Sequence, residues 1–303
     1  MQEDEVTYRI RHATSYVYDD LVTLAHNEAR LTPRNGPWQV AHSARLVVEP
    51  TPAFMARERD YFGNWLTLFA LQEPHRHFLV TAYAEVTVRA PFLPDPEDTP
   101  PWEEVRDLLA SSHDPDVFEA VEHVYESPHV QLLPELRDYA LQSFTPGRPI
   151  LAASLELCHR INNDFAYKPG STNVATPVAT VFSEKRGVCQ DFAHLMIGCV
   201  RSLGLSARYV SGYLRTRSPA GQPRRVGADA SHAWVSVFCP GYDFVDLDPT
   251  NDMLVTTEHP TLAWGRDYGD VSPLRGVLLG GGSHRVEVAV DVEPLDDGES
   301  EDE

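Results

Sequence analysis

The sequence predicts an α+β protein: a β-rich N-terminal half, and a C-terminal half in which one helix packs on an antiparallel sheet. Two patterns carry the prediction. Before residue 90 apolar and polar residues alternate, most clearly at Phe78, Val80, Ala82, Ala84, Val86 and Val88, the period of a half-buried strand. After residue 184 the period changes, with Phe192, Leu195, Met196, Cys199, Val200 and Leu203 recurring at three- and four-residue steps, as on one helical face. The segment Ala90–Pro101, APFLPDPEDTPP, holds five prolines and reads as a stiff connector. We therefore divide the chain into a β domain (1–92), a connector and helical bridge (93–150), a C-terminal domain (151–292) and an acidic tail (293–303).

In order, Val6–Ile10, Ser15–Tyr18, Arg45–Glu49, Trp65–Leu71 and His77–Arg89 read as strands of a sandwich-like domain. Its histidines His12, His26, His42, His75 and His77 show no metal-ligand spacing with cysteine or carboxylate. Trp102–Ser111, Val117–Tyr125, which Asp116 would cap, and Pro134–Phe144 form the helical bridge. Ser154–Phe165 opens the C-terminal domain, and the loop Tyr167–Thr172 leads toward the motif helix. Ala207–Leu214 is a core strand carrying Arg208 and Tyr209. The loop after it holds Arg215, Arg217, Arg224 and Arg225, a candidate contact for an anionic part of a substrate or simply a solvated loop. SHAWVSVF (231–238) and YDFVDLD (242–248) then form a hairpin, with Asn251 capping the turn beyond it. The alternating segment His284–Val292 is expected to close the C-terminal sheet.

The chemistry is concentrated in EKRGVCQDFAHLMIGCVRSLGL (184–205), where Cys189 falls at the start of the helix. Unpaired N–H groups and the helix dipole stabilise an anion there, which suits a thiolate nucleophile. With the hairpin centred on Pro240, His232 lies directly across from Asp248, on one face; a two-residue turn at Pro240-Gly241 would put them on opposite faces. Cys189 would attack, His232 take its proton and Asp248 orient His232. The Cys189 N–H and a second, unnamed donor would form the oxyanion hole. Asp191 suits the helix start without a chemical role, whereas Gln190 offers an amide to the cleft. Cys199 belongs to the core, and neither Cys158 nor Cys239 has a partner pattern.

GVCQDFAHL, ARYVSGYL, SHAWVSVF, DLDPTND and GRDYGDVSPLRG, together with YRIRHATSYVYDD, RLTPR and DYFGN near the start, resemble the bacterial branch of the transglutaminase-like superfamily over roughly residues 6–292. The resemblance implies a papain-like domain in which Cys189, His232 and Asp248 are nucleophile, base and orienting acid. It also implies acyl transfer from a peptide or amide bond through a thioester. Hydrolysis by a cysteine protease or amidase is the preferred outcome, and an amine acceptor, giving cross-linking or ligation, the alternative. Tyr167, Gln190, Trp234, Arg266 and Tyr268 are candidate substrate contacts, and Asp267 a further lining residue. A non-catalytic scaffold and a zinc site on Cys189, His232 and Asp248 stay open as other classes. No cofactor is expected, and no calcium loop of EF-hand pattern occurs.

Forty-five acids against 25 bases give a net charge of −20, which disfavours nucleic acid and anionic membranes as partners. Seven of the acids lie in the tail EPLDDGESEDE, read as disordered. The opening MQEDEVTYRI lacks a basic and apolar leader, no run reaches membrane-spanning length, and the four cysteines are scattered; a cytoplasmic location is the expectation.

Overall fold

The computed structural model describes residues 4–216 and 229–295. The N-terminal half consists of β1 (Glu5–Ala29), β2 (Gln39–Glu49), β3 (Phe54–Arg59), β4 (Trp65–Leu71) and β5 (His75–Arg89). Where two short strands were expected, β1 is one strand of 25 residues. It pairs with β5 from Glu5 to Val17 and with β4 from Ala25 to Ala29, and an irregularity between Val17 and Val22 lets it change partners. That break in the alternation is what made it read as separate pieces.

The bridge contains α1 (Trp102–Ser111), α2 (Pro115–Glu122) and α3 (Pro134–Ala140). The expected Asp116 cap instead falls inside α2, and its side chain lies outside the described residues. Next come α4 (Ile150–Asp164), β6 (Ala166–Tyr167), α5 (Val178–Glu184), β7 (Arg186–Gly187) and α6 (Cys189–Ser202). From Asp191 to Arg201 every residue of α6 is buried, so this helix is enclosed on all sides and not on one face only. The buried Arg201 guanidinium is satisfied by the carbonyls of Tyr125, Ala207 and Arg266, which allows a charged residue in that position. No helix among the described residues is long and apolar enough to cross a membrane.

Strands β8 (Ala207–Leu214), β9 (Ala230–Cys239), β10 (Asp243–Asp248), β11 (Met253–Leu254) and β12 (Thr261–Gly265) form a five-stranded sheet ordered β11-β10-β9-β8-β12. Val235, Val237 and Leu247 pack with α6 in the main core, whereas Val210, Trp234, Val255 and Trp264 make a small second core. Strand β12 is an edge of the sheet, and the N-terminal domain covers it with two amide side chains. Gln39 accepts from Thr261 N at 2.7 Å and donates to its carbonyl at 2.8 Å, and Asn64 does the same for Trp264 at 3.0 and 2.8 Å.

The short α7 (Tyr268–Val271), β13 (Leu274–Gly280) and β14 (His284–Pro294) complete the described chain. The segment His284–Val292 forms the expected strand but in the N-terminal sheet. Strand β14 does not close the C-terminal sheet but pairs with β1 from Tyr8↔Pro294 to Tyr18↔His284, and β13 pairs with β1 beyond it. Its ladder partners lie in β1, which has β5 on its other side, and a single bridge joins Val290 to Asp229 just ahead of β9. The pairing also takes Glu293 and Pro294 out of the expected tail; residues 296–303 lie outside the described residues.

Candidate active site

Cys189 is the first residue of α6, after an extended Val188 with φ −120°. Asp191, in the first turn of the helix, reaches back to accept from the Val188 N–H at 2.8 Å, half of a capping box. The same oxygen accepts from the Thr172 hydroxyl at 2.6 Å, tying the preceding loop to the helix start. Burial pushes the Asp191 carboxyl upward against these two hydrogen bonds. Gly187 is required by this arrangement: a Cβ there would lie 2.7 Å from Asp191 Cβ and 2.9 Å from its Oδ2. The sequence Gly187-Val188-Cys189-Gln190-Asp191 thus fixes the thiol at the exposed end of a buried helix. Cys189 is only partly buried, while Cys158, Cys199 and Cys239 are all buried and their thiols are pushed up, Cys199 to about 12 and Cys239 to about 11.

His232 and Asp248 come together, but not by the expected register. In the hairpin Asp243 pairs with Cys239 and Leu247 with Val235, so the turn is centred on Gly241 rather than Pro240. Asp248 then falls opposite Trp234, and His232 is its diagonal neighbour. A shift of two residues keeps both side chains on one face, where diagonal pairs are within reach of long side chains. His232 Nε2 is 2.6 Å from Asp248 Oδ2, and the Cys189 thiol lies close enough to its imidazole to favour the charged ring. With Nε2 engaged by the carboxylate, Nδ1 is the nitrogen left for the thiol.

Asp248 is fully buried, and its charge is met by several donors. Oδ1 accepts from the backbone of Thr250 at 2.9 Å and Asn251 at 3.2 Å. Oδ2 accepts from His232, from Asn251 Nδ2 at 2.6 Å and from His259 at 3.3 Å. Burial would raise this carboxyl, but the hydrogen bonds from His232, His259 and Asn251 hold it well below the usual carboxylate range. Burial likewise opposes charge on His232, and the hydrogen bond to Asp248 together with the neighbouring Cys189 thiol overrides it, raising the imidazole to about 9.

His232, Asp248 and His259 also have their polar atoms within 4.8 Å of one another, close enough to consider a metal. The donor chemistry fits hydrogen bonding better. An ionised carboxylate only accepts, so both ring Nε2 atoms must carry protons toward it, and a cation would have to displace them.

The candidate contacts separate into groups. Tyr167 stands beside the nucleophile because β6 pairs in parallel with β7, setting Tyr167 against Gly187. It is 54% exposed, and burial first, then Cys189 and Asp248, raise its hydroxyl. Gln190 is half-buried in the first turn of α6. Tyr268 packs edge-on against Tyr209 at 6.4 Å and His129. Trp234 is a correction: it is fully buried in the second core and donates Nε1–H to Asp246 at 3.0 Å, so it offers no surface to a substrate. Arg266 forms a bidentate pair with Asp270 and lines a cavity of about 650 Å³ to which Cys189, His232 and Asp248 do not contribute. Asp267 caps α7 and accepts from the His129 backbone at 2.9 Å, which is a structural role. Of the loop arginines, Arg217, Arg224 and Arg225 lie outside the described residues.

Two residues lie at the site without being assigned to it from the sequence, where Tyr209 reads only as part of a core strand and His259 is not placed at all. Tyr209 is buried next to the nucleophile, its hydroxyl raised by burial, then by Cys189 and Tyr268. His259 joins Asp248 from a loop whose sequence has no periodicity to place it.

Residues 8–87 match the family described as the bacterial transglutaminase-like N-terminal region, and residues 140–249 match the transglutaminase-like superfamily. An uncharacterized protein of Mycobacterium tuberculosis is 40% identical over 95% of this chain and 93% of its own length, and one of Mycobacterium leprae is 32% identical over 95% and 98%. A protein-glutamine gamma-glutamyltransferase of Pseudomonas aeruginosa is 32% identical over 38% of this chain and 17% of its own length. Among solved structures, a protein of Cytophaga hutchinsonii described as a "putative cysteine protease" shares the fold, with a TM-score of 0.75, 20% identity and coverage of 99% and 94%.

Proposed function

Since the chain belongs to the transglutaminase-like superfamily, we propose that it is a cysteine-dependent acyl-transfer enzyme acting on peptide or amide bonds, with Cys189, His232 and Asp248 as its catalytic residues. One observation carries the reading: a partly exposed thiol at a helix start lies beside an imidazole that a buried, ionised carboxylate holds at 2.6 Å. Cys189 Sγ attacks the amide carbonyl carbon, and the developing oxyanion is met by the N–H of Cys189 at the start of α6. As the tetrahedral intermediate collapses the C–N bond breaks, and the His232 imidazolium gives its Nδ1 proton to the departing amine. A thioester remains. An incoming water then loses a proton to His232 and displaces the thiolate, giving the acid and free enzyme.

An amine in place of water would give transfer, and the similarity to a glutamyltransferase supports keeping that outcome. Hydrolysis is preferred. The test is a library of glutamine-containing peptides incubated with and without a primary amine, with products weighed by mass spectrometry. Acid products that persist in the presence of amine support hydrolysis, and amine adducts support transfer. No product of either kind, with a Cys189 that alkylates no faster in the wild type than in His232→Ala, would leave a non-catalytic scaffold.

A further inference from the structure

We infer that His259 is a positioning residue, which holds Asp248 in the orientation that serves His232. The inference rests on the acyl-transfer reading above. His259 is 2% exposed, and its Nε2 lies 3.3 Å from Asp248 Oδ2, the oxygen that His232 reaches at 2.6 Å. Its Nδ1 accepts from the Thr256 N–H at 3.3 Å. A neutral imidazole that accepts at Nδ1 carries its proton on Nε2, so His259 is a donor to the carboxylate. The ring is fixed from three directions. The His259 N–H donates to the Thr256 carbonyl at 3.2 Å, closing a turn, and the Trp234 ring meets His259 edge-on at 5.4 Å.

The far side of the ring explains why a second histidine is placed there. His259 lines a cavity of about 190 Å³ together with Asp246, Arg208, Arg34 and Trp264, whereas Asp248 does not line it. Arg89 and Asp243 line the same cavity, and His232 lies 6.2 Å from His259 ring to ring on the Asp248 side. Without the imidazole, water from this cavity would reach Oδ2 and compete for it with His232. The carboxylate would then turn or become solvated, and the His232 ring would lose its orientation.

The experiment is the rate of Cys189 alkylation by iodoacetamide against pH, by mass spectrometry on the full chain. It compares wild type, His259→Leu, His259→Gln, Asp248→Asn and Asp248→Asn combined with His259→Leu, each checked by thermal melting. We expect His259→Leu to slow alkylation about 10- to 100-fold and to move the alkaline limb to lower pH. Glutamine, whose amide N–H has similar reach, should restore most of the rate. In the Asp248→Asn background the leucine should cost less than about twofold, because its effect runs through Asp248. Wild-type rate and limb in His259→Leu, or its full effect persisting beside Asp248→Asn, would overturn the inference. If leucine melts the fold, His259→Asn replaces it: its shorter amide should fall below glutamine, and equal rates would count against the role. A wild-type Cys189 that alkylates no faster than in His232→Ala would remove the acyl-transfer reading and this inference with it. A fast wild type with an unaffected His259→Leu would remove this inference alone.

Discussion

Asp248 and His232 are diagonal neighbours in the β9–β10 hairpin, yet their side chains meet at 2.6 Å. The imidazole is thereby raised to about 9 against its own burial. The alkaline limb of activity should therefore fall near pH 9, where the imidazolium that protonates the leaving amine is lost. Asp248→Asn should move the limb toward the ordinary value of about 6.5 and lower kcat about a thousandfold; a pH–rate profile of both proteins checks this. Stability follows the same titration. Because the folded value lies above the unfolded one, the favourable contribution is complete below pH 6.5 and disappears as pH climbs through 9, a loss of up to about 3 kcal/mol. Urea melts at pH 6.5 and 9.5 should show it in the wild type and not in His232→Ala.

Gly187→Ala should cost about 1–3 kcal/mol and slow Cys189 alkylation together. The added Cβ displaces Asp191, which caps the helix start that carries the thiol. A variant with the stability and reactivity of the wild type would show that the neighbours yield without consequence.

His12 bridges the two halves, with Nδ1 3.0 Å from the Tyr213 hydroxyl and Nε2 3.1 Å from Thr14 Oγ1. Burial lowers its imidazole to about 4. The unfolded chain takes up this proton near pH 6.5 and the folded one does not, so stability should decline from pH 6.5 to about 4, by up to about 3 kcal/mol. His123 and His194, lowered by burial to about 3, steepen the same decline. His12→Gln should flatten its upper part in a pH series of thermal melts.

Tyr167→Ala should raise KM about three- to tenfold with kcat and melting temperature little changed, since the side chain is half-exposed beside the nucleophile. Trp234→Phe should do the reverse. It strips Asp246 of a donor and should cost stability of about 1–3 kcal/mol without a KM effect.

The elements legible in advance were those whose periodicity is local. Trp65–Leu71, Trp102–Ser111 and Ala207–Leu214 match their predicted bounds because a short alternating or helical pattern with flanking breakers marks both ends. Cys189 at a helix start was legible because the three- and four-residue apolar period from Phe192 to Leu203 begins just after Gly187-Val188-Cys189. What depends on distant partners was not. Trp234 alternates in phase with His232, but phase alone does not distinguish a cleft from a second core on the same face. Alternation in 284–292 identified a strand and could not reveal that β1 holds its partners. Gln39 and Asn64 look like ordinary polar residues until β12 presents its unpaired edge to them.

The return of β14 to β1 has a practical consequence. The two ends of the described chain are laced side by side, so the proline connector is not a hinge at which the protein separates into free halves. A single proteolytic nick in 90–101 should leave fragments that co-elute, still clasped by eleven consecutive residue pairs from Tyr8 to Tyr18. A truncation that removes residues after 283 would instead bare one side of β1 and give the chain a new, unprotected seam along which copies could aggregate.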